Sequence, residues 1–259
     1  MAEDASAPPV WVRAPNVVVV ITADTALVDA VRTALRSAAD PAAAEPMRAY
    51  MKSEMPFLGV PKPARTAALK PVFTAHRIDD GDSWRATVLE LWDSAEFREE
   101  RYAAVTLAQL KPYAAFATRP GALDLYDHLV VTGAWWDHVD EVAIRSVGPV
   151  LRAHHDAVAP VARHWARDAD RWRRRAAVIC QIGSKAETDT ALLAEAIEAN
   201  ADDEDFFLRK GIGWALREYA KIDPDWVRRF VAAHEGELSP LSRREALRNI
   251  DPPSIVTRG

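Results

Sequence analysis

The residues of this sequence best suited to chemistry are an indole and a carboxylate in the segment GAWWDHVD, residues 133–140. Trp136 and Asp140 are four positions apart, so on a helix their side chains share one face. A carboxylate beside an aromatic wall can stabilise developing positive charge, because the anion attracts the cation and the indole adds a cation–π interaction. The segment could equally be the start of a buried helix, with Asp137 as its cap and both tryptophans in the core. Spacing alone leaves both interpretations open.

Other familiar catalytic patterns are weak. His154 and His155 are adjacent and cannot both face one metal ion from a helix, so we predict no metal site and no cofactor. Gly211-Ile-Gly213 lacks the later glycine and the preceding strand of a phosphate-binding loop. The single cysteine, Cys180, excludes a disulfide framework and lies in a helical run between isoleucines, which predicts a core residue. These absences disfavour nucleotide-dependent enzymes and triad hydrolases.

The elements that must position these residues are patterned as helices. From Thr25 onward, apolar residues recur at spacings of three and four. In the whole sequence, 17 prolines outnumber 10 glycines. Dipeptides that end in proline, including Gly148-Pro149, Ala159-Pro160 and Asp223-Pro224, predict breaks between helices. Strand patterns are hard to find in this part of the sequence. We therefore predict an all-α protein.

Similar segments recur along the chain. They open at residues 65, 101, 137, 174, 210 and 244, which gives steps of 36, 36, 37, 36 and 34 residues. Such spacing indicates helix-pair repeats of the HEAT type, whose second helices line a concave face. The alternative is chance, because arginine next to alanine is common in a chain this rich in alanine.

The net charge of −5, from 33 Lys and Arg against 38 Asp and Glu, by itself argues against a nonspecific nucleic-acid coat. The charge is unevenly spread, however. Seven basic and two acidic residues lie between Arg163 and Lys185, whereas residues 186–205 hold eight acidic residues and no basic one. If the basic residues share a face, an acidic protein can still offer a basic groove to a polyanion.

The two ends of the chain fall outside the helical pattern. The acidic, proline-rich start does not have the pattern of a signal peptide, so we expect none, and the early apolar run Val17–Ile21 is too short to span a bilayer. We interpret residues 1–22 as a loosely ordered lead-in or as one added strand around VVVVI, residues 23–250 as the main domain and residues 251–259 as a tail. We expect a soluble cytoplasmic protein with no membrane partner.

Five stretches carry a resemblance to a known family. They are AEPMRAYMKSEMPFLGVPKPAR (44–65), GAWWDHVD (133–140), WRRRAAVICQIGSK (172–185), FFLRKGIGWALREYAK (206–221) and LSRREALRNI (241–250). In this order, over roughly residues 23–250, they resemble the AlkD branch of the DNA alkylation repair family. The resemblance implies a HEAT-like α-solenoid with a basic concave face. It also implies a DNA glycosylase of base excision repair that removes cationic 7-methylguanine and 3-methyladenine from duplex DNA without flipping the base.

The resemblance implies catalytic roles for Trp136, Asp140, Arg175 and Trp214. Asp140 would stabilise the sugar cation and orient water, the two tryptophans would pack against the deoxyribose, and Arg175 would hold a backbone phosphate. Tyr50 would lie along the DNA-facing side. Further candidate DNA contacts are the basic residues Arg174, Lys185, Lys210, Arg217, Arg243 and Arg244.

Two other functions remain open on this scaffold. One is a noncatalytic protein that binds DNA structures, and the other is a HEAT-type scaffold for protein partners, which the fold alone never excludes. The retained pair of Trp136 and Asp140 favours the enzyme over the noncatalytic binder. The expected partner is double-stranded DNA that contains alkylated bases. A solenoid that clamps one duplex can act as a monomer, and we expect it to associate with the nucleoid when bound to DNA.

Overall fold

The computed structural model describes residues 22–250. Over this range the chain is helical and contains no strand, so the prediction of an all-α protein is confirmed. The strand considered around VVVVI and the tail after Ile250 lie outside the described residues.

The α-helices follow one another with short connections. In chain order they are α1 (Thr25–Ser37), α2 (Pro41–Met51), α3 (Lys62–Ala75), α4 (Gly81–Asp93), α5 (Arg98–Ala108), α6 (Ala114–Ala117), α7 (Leu123–Gly133), α8 (Trp136–Val142), α9 (Gly148–Ala153), α10 (His155–Trp165), α11 (Arg171–Ile179), α12 (Thr190–Glu198), α13 (Phe206–Tyr219), α14 (Pro224–Ala233) and α15 (Pro240–Leu247). A π-helical turn, Ala143–Val147, joins α8 to α9, and short 3-10 turns cover Lys111–Tyr113, Pro120–Ala122 and Lys185–Glu187.

Aspartates begin many of these helices. The Asp170 carboxylate accepts hydrogen bonds from the first free backbone N–H groups of α11, and Asp205 does the same for α13. Such caps satisfy N–H groups that have no partner within the helix. Part of the acidic excess noted in the sequence therefore lies at helix starts.

Two of the predicted breaks are wrong. Pro224 does begin a helix, as predicted, but Pro149 and Pro160 lie within helical backbone. Pro149 follows the π-helical turn, whose wider backbone tolerates a residue without an N–H group. In α10, Ala159 before Pro160 and Ala162 after it are buried, so packing offsets the one missing backbone hydrogen bond.

The helices form two layers. Six of them contain the repeated segments found in the sequence and pack one on the next along the chain; this anchor layer consists of α3, α5, α8, α11, α13 and α15. The other long helices pack behind it, as α4 does on α5, α7 on α8 and α14 on α15. The helical-repeat solenoid is thus confirmed, and the anchor layer is the element that positions the candidate site.

The core runs continuously between the two layers. Cys180 lies inside it with no exposed surface, and burial raises the pKa of its thiol to about 12. The thiol is therefore not a nucleophile, and the prediction of a core cysteine is confirmed.

Candidate functional site

A cavity of about 680 Å³ lies along the anchor layer, between α2, α3, α5, α8 and α13. Trp136, Asp140 and Trp214 line it together with Tyr50, whose side chain is 78% exposed. These residues come from helices far apart in sequence, and only the stacking of the repeats brings them to one place. The structure therefore joins three of the four candidate catalytic residues at one surface.

Helix α8 presents Trp136 and Asp140 on the same face, as their spacing predicts. The helix begins after Trp135, whose ring packs edge-on against Phe207 with centroids 5.3 Å apart. On the opposite face of α8, His138, Val139 and Val142 are buried in the core. The indole of Trp135 thus anchors the helix, while its neighbour Trp136 is left to line the cavity.

The fourth candidate, Arg175, lies directly behind Asp140. Its Nε and Nη2 atoms donate to the two oxygens of the Asp140 carboxylate, each at 2.7 Å, and Nη1 donates to the Phe207 carbonyl. Arg175 is only 4% exposed. In this structure its guanidinium therefore holds the carboxylate in a bidentate pair instead of projecting into the cavity.

Burial and pairing act in opposite directions on Asp140. Burial raises the pKa of this carboxyl, the hydrogen bonds and charge of Arg175 lower it, and nearby Asp137 raises it further; the pKa stays above its usual range. A carboxyl with a raised pKa next to an open cavity is a feature typical of functional sites.

Asp137 does not cap α8, so the alternative interpretation of this segment is wrong on that point. Its carboxylate accepts a hydrogen bond of 2.7 Å from Arg98 Nη2 and one of 2.5 Å from the Tyr102 hydroxyl. The Arg65 guanidinium lies 4.4 Å from the centre of the Tyr102 ring. The cavity is also lined by Asp137, Tyr102 and Arg65, none of which was predicted as a site residue. Arg65 and Tyr102 lie in the repeated segments, and this position in the repeat is the sequence feature that could have identified them.

His138 also contacts the cavity wall but is a core residue by its surroundings. It is 1% exposed and packs edge-on against Trp92 and Tyr102, with ring centroids 4.9 and 5.1 Å apart. Burial lowers its pKa to about 3. The imidazole is therefore neutral at physiological pH and places no charge beside Asp140.

The remaining candidate DNA contacts lie away from the cavity and fall into two groups. Members of the first are held by acidic partners: Lys210 and Arg217 both pair with Glu245, Arg174 pairs with Asp203, and Arg243 pairs with Glu235. In the second group, Lys185 and Arg244 are exposed, and neither has an ion-pair partner among residues 22–250. Only the second group offers a charge that is not already neutralised.

A basic surface that the sequence analysis missed runs along α3. Lys62, Thr66 and Lys70 are each four residues apart and exposed, and Arg77 follows the end of the helix. These four residues, here named the α3 stripe, line a cleft of about 440 Å³. The cleft shares Lys62 and Arg65 with the cavity, and no acidic side chain of the described chain lines it. The cavity itself is lined by equal numbers of acidic and basic side chains. The cationic surface is therefore the neighbouring cleft.

The described part of the chain shows no cluster of three side chains able to hold a metal ion. Within the same residues, no helix combines the length and the apolar character needed to cross a membrane.

Comparison with known proteins adds a family match and a structural match. A family model described as DNA alkylation repair enzyme matches residues 31–250. A solved structure described as a predicted DNA alkylation repair enzyme from Enterococcus faecalis is 29% identical, covers 83% of this chain and 97% of its own, and superposes with a TM-score of 0.73. No curated protein matches.

Proposed function

Since the chain belongs to the DNA alkylation repair enzyme family, we propose that it is a DNA glycosylase for cationic alkylated bases in duplex DNA. The observation that carries the proposal is the cavity that Asp140, Trp136 and Trp214 line together, with Arg175 paired to the Asp140 carboxylate. This arrangement offers a fixed negative charge and two aromatic faces to one small cationic group.

The chemistry of the lesion explains why such a site is sufficient. A base alkylated at N7 of guanine or N3 of adenine is already cationic, so it leaves as a neutral molecule without being protonated. The C1′–N bond breaks with its electron pair going to the base, and positive charge develops on the deoxyribose. A carboxylate stabilises that charge, as carboxylates do in glycosidases.

Each residue then has a defined role in the proposed reaction. The Asp140 carboxylate stabilises the oxocarbenium-like sugar and accepts a proton from the water whose oxygen attacks C1′; its raised pKa suits that acceptance. The indoles of Trp136 and Trp214 pack against the deoxyribose and add cation–π stabilisation. Since the lesion itself supplies the good leaving group, we propose that the base stays stacked and that selection rests on its charge and lability.

We further propose that the DNA backbone follows the basic surfaces beside the cavity. Tyr50 borders the cavity on one side, the α3 stripe extends from it, and Lys185 and Arg244 supply exposed charge elsewhere. Phosphates neutralised by these residues would position the duplex without reading its sequence. On this proposal one protein molecule engages one duplex in the cytoplasm, at the nucleoid.

The experiment that tests the proposed function is a base-release assay on methylated duplex DNA. Purified protein should release free 7-methylguanine or 3-methyladenine and leave abasic sites, and Asp140→Asn should not. Tight binding of duplex DNA with no release would instead support a noncatalytic DNA-binding protein. Absence of both release and DNA binding would leave a scaffold for protein partners.

A further inference from the structure

Two glycines, Gly211 and Gly213, lie in the interior of α13 on either side of Ile212. Glycine is a poor helix former, because it loses much backbone freedom when a helix forms. Neither residue has a positive φ, so the backbone conformation does not require glycine at these positions. The reason for their presence must lie in what surrounds the helix.

Gly213 is explained by helix packing. A Cβ atom at this position would lie 2.5 Å from the Cβ of Glu245 and 2.9 Å from the Ser242 carbonyl oxygen, both on α15. These distances are too short, and backbone atoms cannot move aside cheaply. The missing side chain at residue 213 therefore lets α13 and α15 approach.

Gly211 faces a different neighbour. A Cβ atom here would lie 2.9 Å from Nη1 of Arg175 and 3.4 Å from a methyl group of Ile179. Nη1 is the atom that donates to the Phe207 carbonyl, while Nε and Nη2 of the same guanidinium hold Asp140. Since a planar guanidinium moves as one unit, a methyl group at residue 211 would displace all three donors.

We infer that Gly211 is a positioning residue of the proposed catalytic site: its missing side chain leaves the space in which Arg175 holds the Asp140 carboxylate. The kinetic consequences of this inference rest on the proposed function. The contact between residue 211 and Arg175 does not, because it is present in the protein without DNA. Close packing explains both glycines of Gly211-Ile-Gly213, because residue 211 approaches Arg175 closely and residue 213 approaches α15. No phosphate-binding loop is needed to explain them.

The substitution Gly211→Ala tests this inference through the charge state of Asp140. The charged groups that act on its carboxyl are Arg175 from α11 and Asp137 from α8, and α13 contributes the uncharged Trp214 to the cavity. The other charged groups lining the cavity are Lys62, Arg65, Glu141 and Arg145. Displacing Arg175 removes the attraction that lowers the pKa of Asp140, so that pKa should rise further.

The pKa of Asp140 can be followed by NMR in protein labelled with ¹³C at aspartate carboxyls, with its signal identified by its loss in Asp140→Asn. Gly211→Ala should raise the pKa and lower the thermal midpoint only slightly, because the helix preference of alanine offsets part of the weakened ion pair and the clash is with the end of a side chain. The matched control, Gly213→Ala, should lower the midpoint. An unchanged Asp140 pKa in folded Gly211→Ala would overturn the inference.

The kinetic test asks whether Gly211 acts through Arg175. In the wild-type background, Gly211→Ala should slow single-turnover base release by roughly 10- to 100-fold, the cost of a catalytic group misplaced by about 1 Å. In an Arg175→Lys background, the same change should cost little more, because lysine has no Nη1 branch to displace. Equal losses in both backgrounds would show that Gly211 acts elsewhere, against the inference.

The pH dependence separates positioning from a general structural defect. With Asp140 less well paired, the acidic limb of the rate profile should move to higher pH in Gly211→Ala, whereas mild unfolding would lower the rate at every pH. If the wild-type protein releases no base at all, the proposed function fails, and the NMR measurement still decides whether Gly211 positions Arg175 against Asp140.

Discussion

Asp137 and Asp140 lie three residues apart on α8, and each carboxylate is paired at 2.7 Å with a buried arginine from a different neighbouring helix, Arg98 of α5 and Arg175 of α11. Asp137 is further bound by the Tyr102 hydroxyl. Asp140 has no such second side-chain donor within residues 22–250, and it lines the cavity together with Trp136 and Trp214. One helix therefore carries two similar ion pairs beside the cavity, and only the Asp140 carboxylate is left without a further side-chain donor.

This similarity gives a matched pair of substitutions. Asp140→Asn should reduce base release by about 100-fold or more, the scale of removing one electrostatic stabiliser of a transition state. Asp137→Asn should leave the rate near that of the wild type. Asp137→Asn should lower the free energy of unfolding by about 1–3 kcal/mol, because it leaves a buried arginine with a weaker acceptor. Single-turnover kinetics and denaturant unfolding measure the two effects, and equal rate losses would contradict the assignment.

The raised pKa of Asp140 gives a pH dependence of defined sign. Stabilisation of a cation requires the ionised carboxylate, so base release should fall as pH drops through this pKa, at a higher pH than an exposed aspartate would give. Because the folded-state pKa lies above the unfolded one, the folded protein binds the proton more tightly, and this group's contribution to stability declines as pH rises between the two values. Asp140→Asn should remove that decline, which unfolding measured across the acidic range would show.

The shared face of Trp136 and Asp140 could be predicted from the sequence, because a spacing of four fixes the relative direction of two side chains on a helix. The pairing of Asp140 with Arg175 could not, since they are 35 residues apart and meet only because α8 packs on α11. The repeat spacing of about 36 residues predicts that the helices carrying Asp140 and Arg175 are neighbours, but it does not predict the direction in which the guanidinium points.

The α3 stripe was missed for a different reason. Lys62, Lys70 and Arg77 are too widely spaced to form a run of basic residues in the sequence. They form a surface because α3 places Lys62 and Lys70 along one cleft that Arg77 also lines, and because acidic residues elsewhere cap helices such as α11 and α13. Total charge could reveal neither effect.

The α3 stripe predicts a salt-dependent contribution to DNA binding. Lys70→Gln and Arg77→Gln should each reduce the slope of log affinity against log salt by about 0.9, the value for one lost phosphate contact. Arg229→Gln, at an exposed position of α14 that lines neither the cavity nor the cleft, is the control and should leave the slope unchanged. Fluorescence anisotropy with undamaged duplex measures the slopes, and equal slopes for all three variants would remove the stripe from the DNA-binding surface.

The two groups of candidate DNA contacts should also separate. Lys185 is exposed without an acidic partner in the described chain, so Lys185→Gln should weaken DNA binding and reduce the salt slope by about 0.9. Arg174 donates to the Asp168 and Ala169 carbonyls and pairs with Asp203 at 2.8 Å. Arg174→Gln should therefore lower stability and leave the slope unchanged. A reduced salt slope for Arg174→Gln with an unchanged slope for Lys185→Gln would mean that Arg174 leaves Asp203 and binds a phosphate in the complex with DNA.

The proposed mechanism predicts that the site recognises positive charge on the sugar. A duplex with a cationic pyrrolidine in place of the damaged nucleotide mimics that charge, and a neutral tetrahydrofuran of nearly the same shape is its control. The wild-type protein should bind the cationic duplex at least about 10-fold more tightly, as expected when a site is complementary to the transition state. Because the carboxylate supplies the largest part of the attraction and the two indoles add to it, Asp140→Asn should lose most of this preference. An undiminished preference in Asp140→Asn would place the charge recognition on the tryptophans alone.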